Sequence, residues 1–419
     1  MKKTLQKPEI MAPVGDMIVL DAALKAGADA VYFGIEGMNM RAGAKNFTSA
    51  QMRQLCKKCA KSGVRKYLTL NTIYYENELP RLKKILAAAK KAGVDAAIVW
   101  DLAALELARE VGIEAYLSTQ ASVANSEAII SYHKKFGVNR FVLAREVGID
   151  QIKKLRTQIV KKLGQKKAKE ITFEVFAHGA MCVSVSGRCF MSLYQYGKSA
   201  NRGECIQPCR REYFIHDGRE DTEGFSMEQR HIMSPKDLCT LPFIEKLLDA
   251  GVNSLKIEGR NRSADYVFET VSAYRKVVDF YFENKAKKNF KQDFDSLRNS
   301  EYDRLGNVFN RGFSSGFYMG KPTGDWTSSG NHAKKRKTIL GRVVNYFPKI
   351  QVAQISIDNG KISEGDHVQL EGDTTGFLRF EMNAMRLDGK PVAQAKKGDV
   401  VSLKLSDKVR KNDRLYIFI

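Results

Sequence analysis

The chain has 419 residues, 43% of them hydrophobic and 28% charged, a globular composition long enough for two or three domains. The basic N-terminus MKKTLQKPEIMAP lacks the apolar core of a secretory signal, and no apolar run approaches a membrane span, which predicts a soluble, cytoplasmic protein with no membrane partner and with reduced thiols. A net charge of +22, with lysine-rich runs at 161–169, 285–288 and 334–337, makes nucleic acid the leading macromolecular partner, although each run alone reads as a solvated face.

From residue 9 short apolar runs alternate with amphipathic segments. Strands are predicted over 9–13, 30–34, 67–71, 96–100, 115–119, 140–144, 171–177 and 254–259. Helices are predicted over 17–27, 49–63, 78–92, 102–112, 126–136, 149–163, 241–251 and 263–284, with stops such as Gly27, Gly63 and Gly93. Eight strand–helix units predict an α/β fold, a TIM-like (β/α)8 barrel, with a doubly wound open sheet as the alternative. The rhythm breaks once, after the seventh strand, at a Cys-rich insertion over 178–240 that includes a hairpin through 212–220. Residues 286–336 read as a loop-rich connector able to pack on the barrel. From 337 to 419 the period changes to two, punctuated by DNGK, EGD and DGK turns, which predicts a small C-terminal antiparallel β-barrel. The expected domains are therefore 1–285, a connector over 286–336, and 337–419.

In this fold class chemistry sits at the strand C-termini. That places Asn71, Asp101, Gln120, Arg145, His178 and Glu258 around one mouth. The insertion springs from the same rim and holds Cys182, Cys189, Cys205 and Cys209, with Cys239 following in SPKDLC. Six residues separate Cys182 from Cys189, fifteen separate Cys189 from Cys205, three separate Cys205 from Cys209, and twenty-nine separate Cys209 from Cys239. Iron–sulfur clusters take four thiolates, whereas structural zinc more often shows two tight CxxC-like pairs, so this looser spacing favours a cluster. The alternative is that the thiols are inert packing residues. That is the reading for Cys56 and Cys59, a CxxC on a predicted amphipathic helix.

HGAMC, SGRC, NRGEC and QPCR, followed by SPKDLC, resemble the collagenase-like peptidase family U-32. So do EIMAPVGD, GADAVYFG with RAGAKNF, and LKIEGR, and the resemblance spans residues 8–285. Several branches of that family look like oxygen-independent hydroxylation factors with a 4Fe–4S cluster on four cysteines. They act on ubiquinone precursors, on a ribosomal RNA cytidine or on the wobble uridine of tRNA. The branch with such a C-terminal barrel is similar to the last of these. The resemblance thus implies a tRNA uridine hydroxylase that makes 5-hydroxyuridine, with tRNA as partner and prephenate as hydroxyl donor. The quinone-modifying branch has a distant fourth ligand, which implies Cys182, Cys189, Cys205 and Cys239 as metal ligands, with Cys209 beside them or in place of Cys239. The barrel over 338–419 also resembles second-domain barrels of translation factors through GRVV and AKKGDVVSL; such barrels often contact tRNA, with a purely stabilising appendage as the alternative. A heteromer with a shorter family member lacking this barrel stays open.

A dicarboxylate donor needs an anion site, and arginine suits bidentate carboxylate contacts. Arg41, Arg145 and Arg260 follow the second, sixth and eighth strands and are candidates to bind it, or else to pair with Glu36, Glu146 or Glu258. Lys256, inside the eighth strand, is costly unless paired, so it is functional or bonded to Glu174 or Glu258. His178 is a candidate acid or base, a hydrogen-bond partner for a cluster sulfur, or a loop anchor. The catalytic candidates are then His178, Arg145, Lys256 and Glu258, and the substrate-binding candidates Arg41, Asn71, Asp101, Gln120 and Arg260. Two other functions compete. Proteolysis lacks an HExxH or GxSxG signature and would rest on a cysteine with His178. A non-catalytic RNA-binding or assembly factor would carry a structural cluster.

Overall fold

Apolar runs bounded by glycine turns become strands here, and the amphipathic segments between them become helices. The computed structural model describes residues 6–43, 45–213, 231–322, 325–327 and 330–419. Seven strands come first: β1 (Glu9–Val14), β2 (Ala30–Gly34), β3 (Arg65–Thr69), β4 (Ala96–Val99), β5 (Glu114–Leu117), β6 (Arg140–Val142) and β7 (Thr172–Gly179). Each pairs in parallel with the next. Two more follow, β8 (Asp237–Cys239) and β9 (Ser254–Ile257). The last, β9, closes the ring, since Ser254 lies opposite Glu174 of β7 and opposite Glu9 of β1. The sheet is thus a closed eight-stranded parallel barrel, as the sequence predicted.

The helices α1 (Met17–Lys25), α2 (Ser49–Lys61), α3 (Leu79–Ala92), α4 (Leu102–Val111), α5 (Ser126–Phe136) and α6 (Ile149–Ala168) cover the outside. Their ends follow local chemistry. Thr48 and Gln51 form a capping box on α2, and Gly93, Gly112 and Gly137 take the left-handed conformation that ends α3, α4 and α5. Cys56 and Cys59 are buried on α2, in the layer between helices and sheet.

The insertion carries the short helix α7 (Met191–Tyr196) and returns through β8, which is antiparallel to β7 with Cys239 opposite His178. The hairpin predicted over 212–220 falls mostly outside the described residues. Helices α8 (Ile244–Asp249) and α9 (Ala264–Asn284) complete the barrel. The connector holds a helix that its polar composition concealed, α10 (Phe290–Leu305). It is held to α9 by a ring cluster of Phe280, Tyr281, Phe290 and Phe294. A short strand, β10 (Phe313–Ser314), then pairs with β8.

Beyond it lie antiparallel sheets of eight and two strands. Lys337–Phe347 runs between Val352–Ile357 and Arg414–Phe418, over a separate core that includes Val343, Ile355, Leu370, Val401 and Leu415. This unit docks on α1. Asp21 accepts from the Phe377 amide at 3.0 Å and Lys25 donates to the Phe377 carbonyl at 2.6 Å. Gly376 lets the strand come this close, since a Cβ there would lie 2.5 Å from the Asp21 carboxylate. Among the described residues, no helix is long and apolar enough to cross a membrane.

The barrel interior is filled in two ways. Met11, Tyr32, Tyr67, Ile98 and Tyr116 form an apolar plug. Beside it Arg140 pairs with Glu9 at 3.0 Å, and Lys256 donates to Glu174 at 2.8 Å. Buried charges persist only when paired in this way. Lys256 therefore takes the paired alternative, with Glu174 as the partner.

Candidate functional site

The strand period of two sends Ser254 and Lys256 into the barrel, and the same spacing carries Glu258 and Arg260 up to its mouth. Thr69 and Asn71 rise there from β3, Ser118 and Gln120 from the end of β5, Tyr32 from β2 and Phe176 from β7. The insertion arches over them, so that one cavity is lined from below by these side chains and from above by Cys182, Cys189, Cys205 and Cys209. Arg41 and Arg145 border it as well.

The floor is strongly cationic. Arg41 donates from Nη2 to Glu258 Oε1 at 3.1 Å. Arg260 is buried and donates to Thr69 Oγ1 at 2.8 Å, and burial pulls its guanidinium down to about 10. Gly34 makes room for it, because a Cβ there would sit 2.4 Å from Arg260 Nη1. Arg145 stacks 3.8 Å over the Phe176 ring and donates to the Ala180 carbonyl at 2.9 Å. Burial alone would raise the Glu258 carboxyl, but Arg41, Arg145, Arg260 and Lys256 outweigh it and hold it at about 2. Glu258 is a carboxylate at any physiological pH. Tyr32 donates to the Ile257 carbonyl at 2.8 Å and reaches Glu258 Oε2 at 3.3 Å. Asn71 donates to Gln120 Oε1 at 3.1 Å and accepts from the Met40 amide at 3.3 Å.

The thiol-bearing roof is tied to the loops after β2 and β3. Gly203, at φ +87°, presses on the chain at 39–42, where a Cβ would lie 2.0 Å from the Asn39 carbonyl oxygen. Arg202 donates to Glu78 at 2.8 Å, and Thr72 Oγ1 donates to the Asn201 carbonyl at 3.0 Å. The sulfurs already receive hydrogen bonds. The Met191 amide donates to Cys189 Sγ at 3.4 Å, the Gln207 amide donates to Cys205 Sγ at 3.4 Å, and Ser192 Oγ reaches Cys205 Sγ at 3.9 Å. Hydrogen bonds to sulfur are among the features that tune iron–sulfur clusters. Among the described residues, no three His, Cys, Asp or Glu side chains gather as a site for a single metal ion. Cys182, Cys189, Cys205 and Cys209 line one cavity, four thiols being the usual donor set of an iron–sulfur cluster.

Three residues expected at the site, Cys239, His178 and Asp101, lie outside the cavity lining. Cys239 does not reach the cavity. It is 2% exposed on β8, and burial pushes its thiol up to about 12, with Tyr274 as its side-chain contact at 3.9 Å. Cys209 lines the cavity in its place. Burial first, and then Arg210 and the thiols of Cys182, Cys205 and Cys189, set its own pKa, which marks those thiols as its neighbours. His178 is 1% exposed and packs among Tyr266, Tyr274 and Phe313, away from the cavity lining. Burial, with a smaller push from Arg262, lowers it to about 3, so it is neutral and unsuited to proton transfer near pH 7. Asp101 caps α4, accepting from the Ala103 amide at 2.9 Å, and is not part of the cavity. Arg41, Asn71, Gln120, Arg145, Lys256, Glu258 and Arg260 do converge there. The sequence reading missed Tyr32, Thr69 and Ser118, which counting alternate positions along their strands would have found.

Comparison with known proteins adds an independent finding. The model of a family described as "Peptidase family U32" matches residues 15–328. A collagenase of Porphyromonas gingivalis is 40% identical over 413 residues, covering 98% of this chain and 97% of its own length. The tRNA hydroxylation protein P1 of Bacillus subtilis is 32% identical over 412 residues, covering 96% of this chain and 93% of its own. A 23S rRNA 5-hydroxycytidine synthase of Escherichia coli is 35% identical over 277 residues, which is 66% of this chain and 40% of that longer protein.

Proposed function

This chain belongs to peptidase family U32, and from that premise we propose that it is an RNA-modifying enzyme that hydroxylates a tRNA uridine at C5. The observation that carries the reading is the pairing of a four-thiol roof with a cationic floor in one cavity at the barrel mouth. The names of the B. subtilis and E. coli relatives, an RNA hydroxylation protein and an RNA 5-hydroxycytidine synthase, favour it.

In this reading Cys182, Cys189, Cys205 and Cys209 hold a 4Fe–4S cluster, which supplies redox chemistry when bound. Lys256 is neutralised by Glu174. Arg41, Arg145, Arg210 and Arg260, less the Glu258 carboxylate, leave the cavity lining with a net positive charge. That charge suits an anionic donor such as the dicarboxylate prephenate, with the arginines orienting it. Replacing C5–H by C5–OH is a two-electron oxidation. If the donor's C–OH becomes C–H in the same exchange, atoms and electrons balance without dioxygen. A uridine inside a folded tRNA reaches such a cavity only when extruded from its stack.

The collagenase relative favours a second reading, peptide hydrolysis. A thiol nucleophile needs an adjacent base, and His178 is sealed behind the cavity wall. Nucleoside mass spectrometry of tRNA from cells lacking this protein tests the proposal. Loss of 5-hydroxyuridine and its derivatives is expected, and unchanged tRNA overturns it. Gelatin cleavage by the purified protein, abolished by Cys→Ser changes at the cavity, would establish the peptidase instead.

A further inference from the structure

The insertion that roofs the thiol cavity is unusually apolar for a surface. Val183, Val185, Phe190, Leu193, Tyr194, Tyr196 and Ile206 are all exposed, Phe190 at 70% and Tyr194 at 93%. Nearly half of the large exposed hydrophobic side chains among the described residues fall in this one short segment. Helix α7 explains the placement. Met191 and Ser192 line the cavity, while Phe190 and Tyr194, four residues apart, turn to solvent on the same short segment. A large exposed apolar patch beside a cavity marks a binding surface rather than a core.

Charge decides what binds. Between Cys182 and Arg211 the chain carries five cations against one carboxylate, Glu204; with Arg202 paired to Glu78 and Arg210 bonded to the Met181 and Pro235 carbonyls, Arg188, Lys198 and Arg211 remain for a ligand. Arg211 lies 4.8 Å from the Tyr196 ring centroid, and Arg188 bonds Ser122 Oγ at 2.6 Å at the edge of the same cavity. Exposed rings interleaved with cations are the means by which proteins hold unpaired nucleotides, whose bases stack on the rings while the cations follow the phosphates. The remaining positive charge suits a polyanion.

We infer that Phe190 and Tyr194 form a stacking platform for single-stranded RNA, holding the bases that flank the one inserted into the cavity. The inference rests on the RNA-hydroxylase reading and deepens it by naming the substrate form: an unpaired loop, not a duplex. Tyr194 is so exposed that its removal does not disturb packing, whereas Phe190 adjoins a thiol, so Tyr194 carries the test.

The assay measures binding of a fluorescent anticodon stem-loop RNA to the full-length, iron-loaded protein by anisotropy, with iron content measured alongside. Tyr194→Ala should weaken binding about fivefold or more at unchanged iron, in line with the loss of one stacked base. Tyr194→Phe should bind as the wild type does, because the ring and not the hydroxyl is used. A blunt-ended RNA duplex should bind both wild type and Tyr194→Ala equally and more weakly. Wild-type affinity in Tyr194→Ala overturns the platform while leaving the hydroxylase reading intact. A wild-type protein that fails to bind the stem-loop overturns both. If Tyr194→Ala instead converts a dimer to a monomer at unchanged RNA affinity, the patch joins copies of the chain and the inference fails.

Discussion

Glu258→Gln retains the side-chain shape and one oxygen for Arg41, and removes a negative charge from among four cations. The wild-type carboxyl is held at about 2 against an ordinary 4.5, because Arg41, Arg145, Arg260 and Lys256 together outweigh the upward push of burial. That depression corresponds to about 3 kcal/mol of folding stability at pH 7. The sign follows from the direction. A carboxyl depressed in the folded state contributes fully above about 4.5, retains about 1.4 kcal/mol at pH 3, and contributes little below about 2. Denaturant unfolding of wild type and Glu258→Gln should therefore show a gap of about 3 kcal/mol at pH 7 that narrows to about half by pH 3. Calorimetry at pH 7 should show the variant binding a dicarboxylate more tightly, since Glu258 no longer competes for Arg41. Equal stability at pH 7, or a gap that widens on acidification, refutes the account of the floor. Weaker dicarboxylate binding by a folded variant refutes the competition.

The choice of thiols makes a second prediction. Anaerobically prepared wild type should carry about four irons per chain, Cys209→Ser should lose the full complement, and Cys239→Ser should keep it at a stability cost of about 1 kcal/mol. Full iron in Cys209→Ser together with loss in Cys239→Ser would reverse the assignment. For His178, neutral and enclosed by rings, His178→Phe should keep both iron and nucleoside-modifying activity. Its folded pKa of about 3 lies below the unfolded 6.5, so wild-type stability should fall relative to His178→Phe as the pH drops below about 6.5, by about 1.4 kcal/mol per pH unit. A folded but inactive His178→Phe would return the histidine to the chemistry.

Particular residues show where sequence reasoning reached and where it stopped. The eight strands and their helices were legible because each has a local cause: an apolar run, a cap such as Thr48, a stop such as Gly93. That Arg41, Arg145, Glu258 and Arg260 meet at one cavity was legible because a parallel barrel delivers the residues after its strands to one mouth. Helix α10 was missed because its sequence, FKQDFDSLRNSEYDRL, is mostly polar, and only the ring cluster with α9 reveals its buried face. His178 and Cys239 were misplaced for a shared reason. Both belong to the antiparallel pairing of β7 with β8, a contact between segments 61 residues apart that turns both side chains away from the cavity. No local pattern encodes such a pairing.

The four clustered cysteines of the insertion needed only the sequence, since their number and spacing are read directly from the chain. Which four face one another depended on how the chain folds back between β7 and β9. Gly203 against Asn39, Arg202 on Glu78 and β8 against β7 set that path. Thiol identity is a property of the chain, but convergence on one cavity is a property of contacts distant in sequence, and those exist only once the barrel has closed.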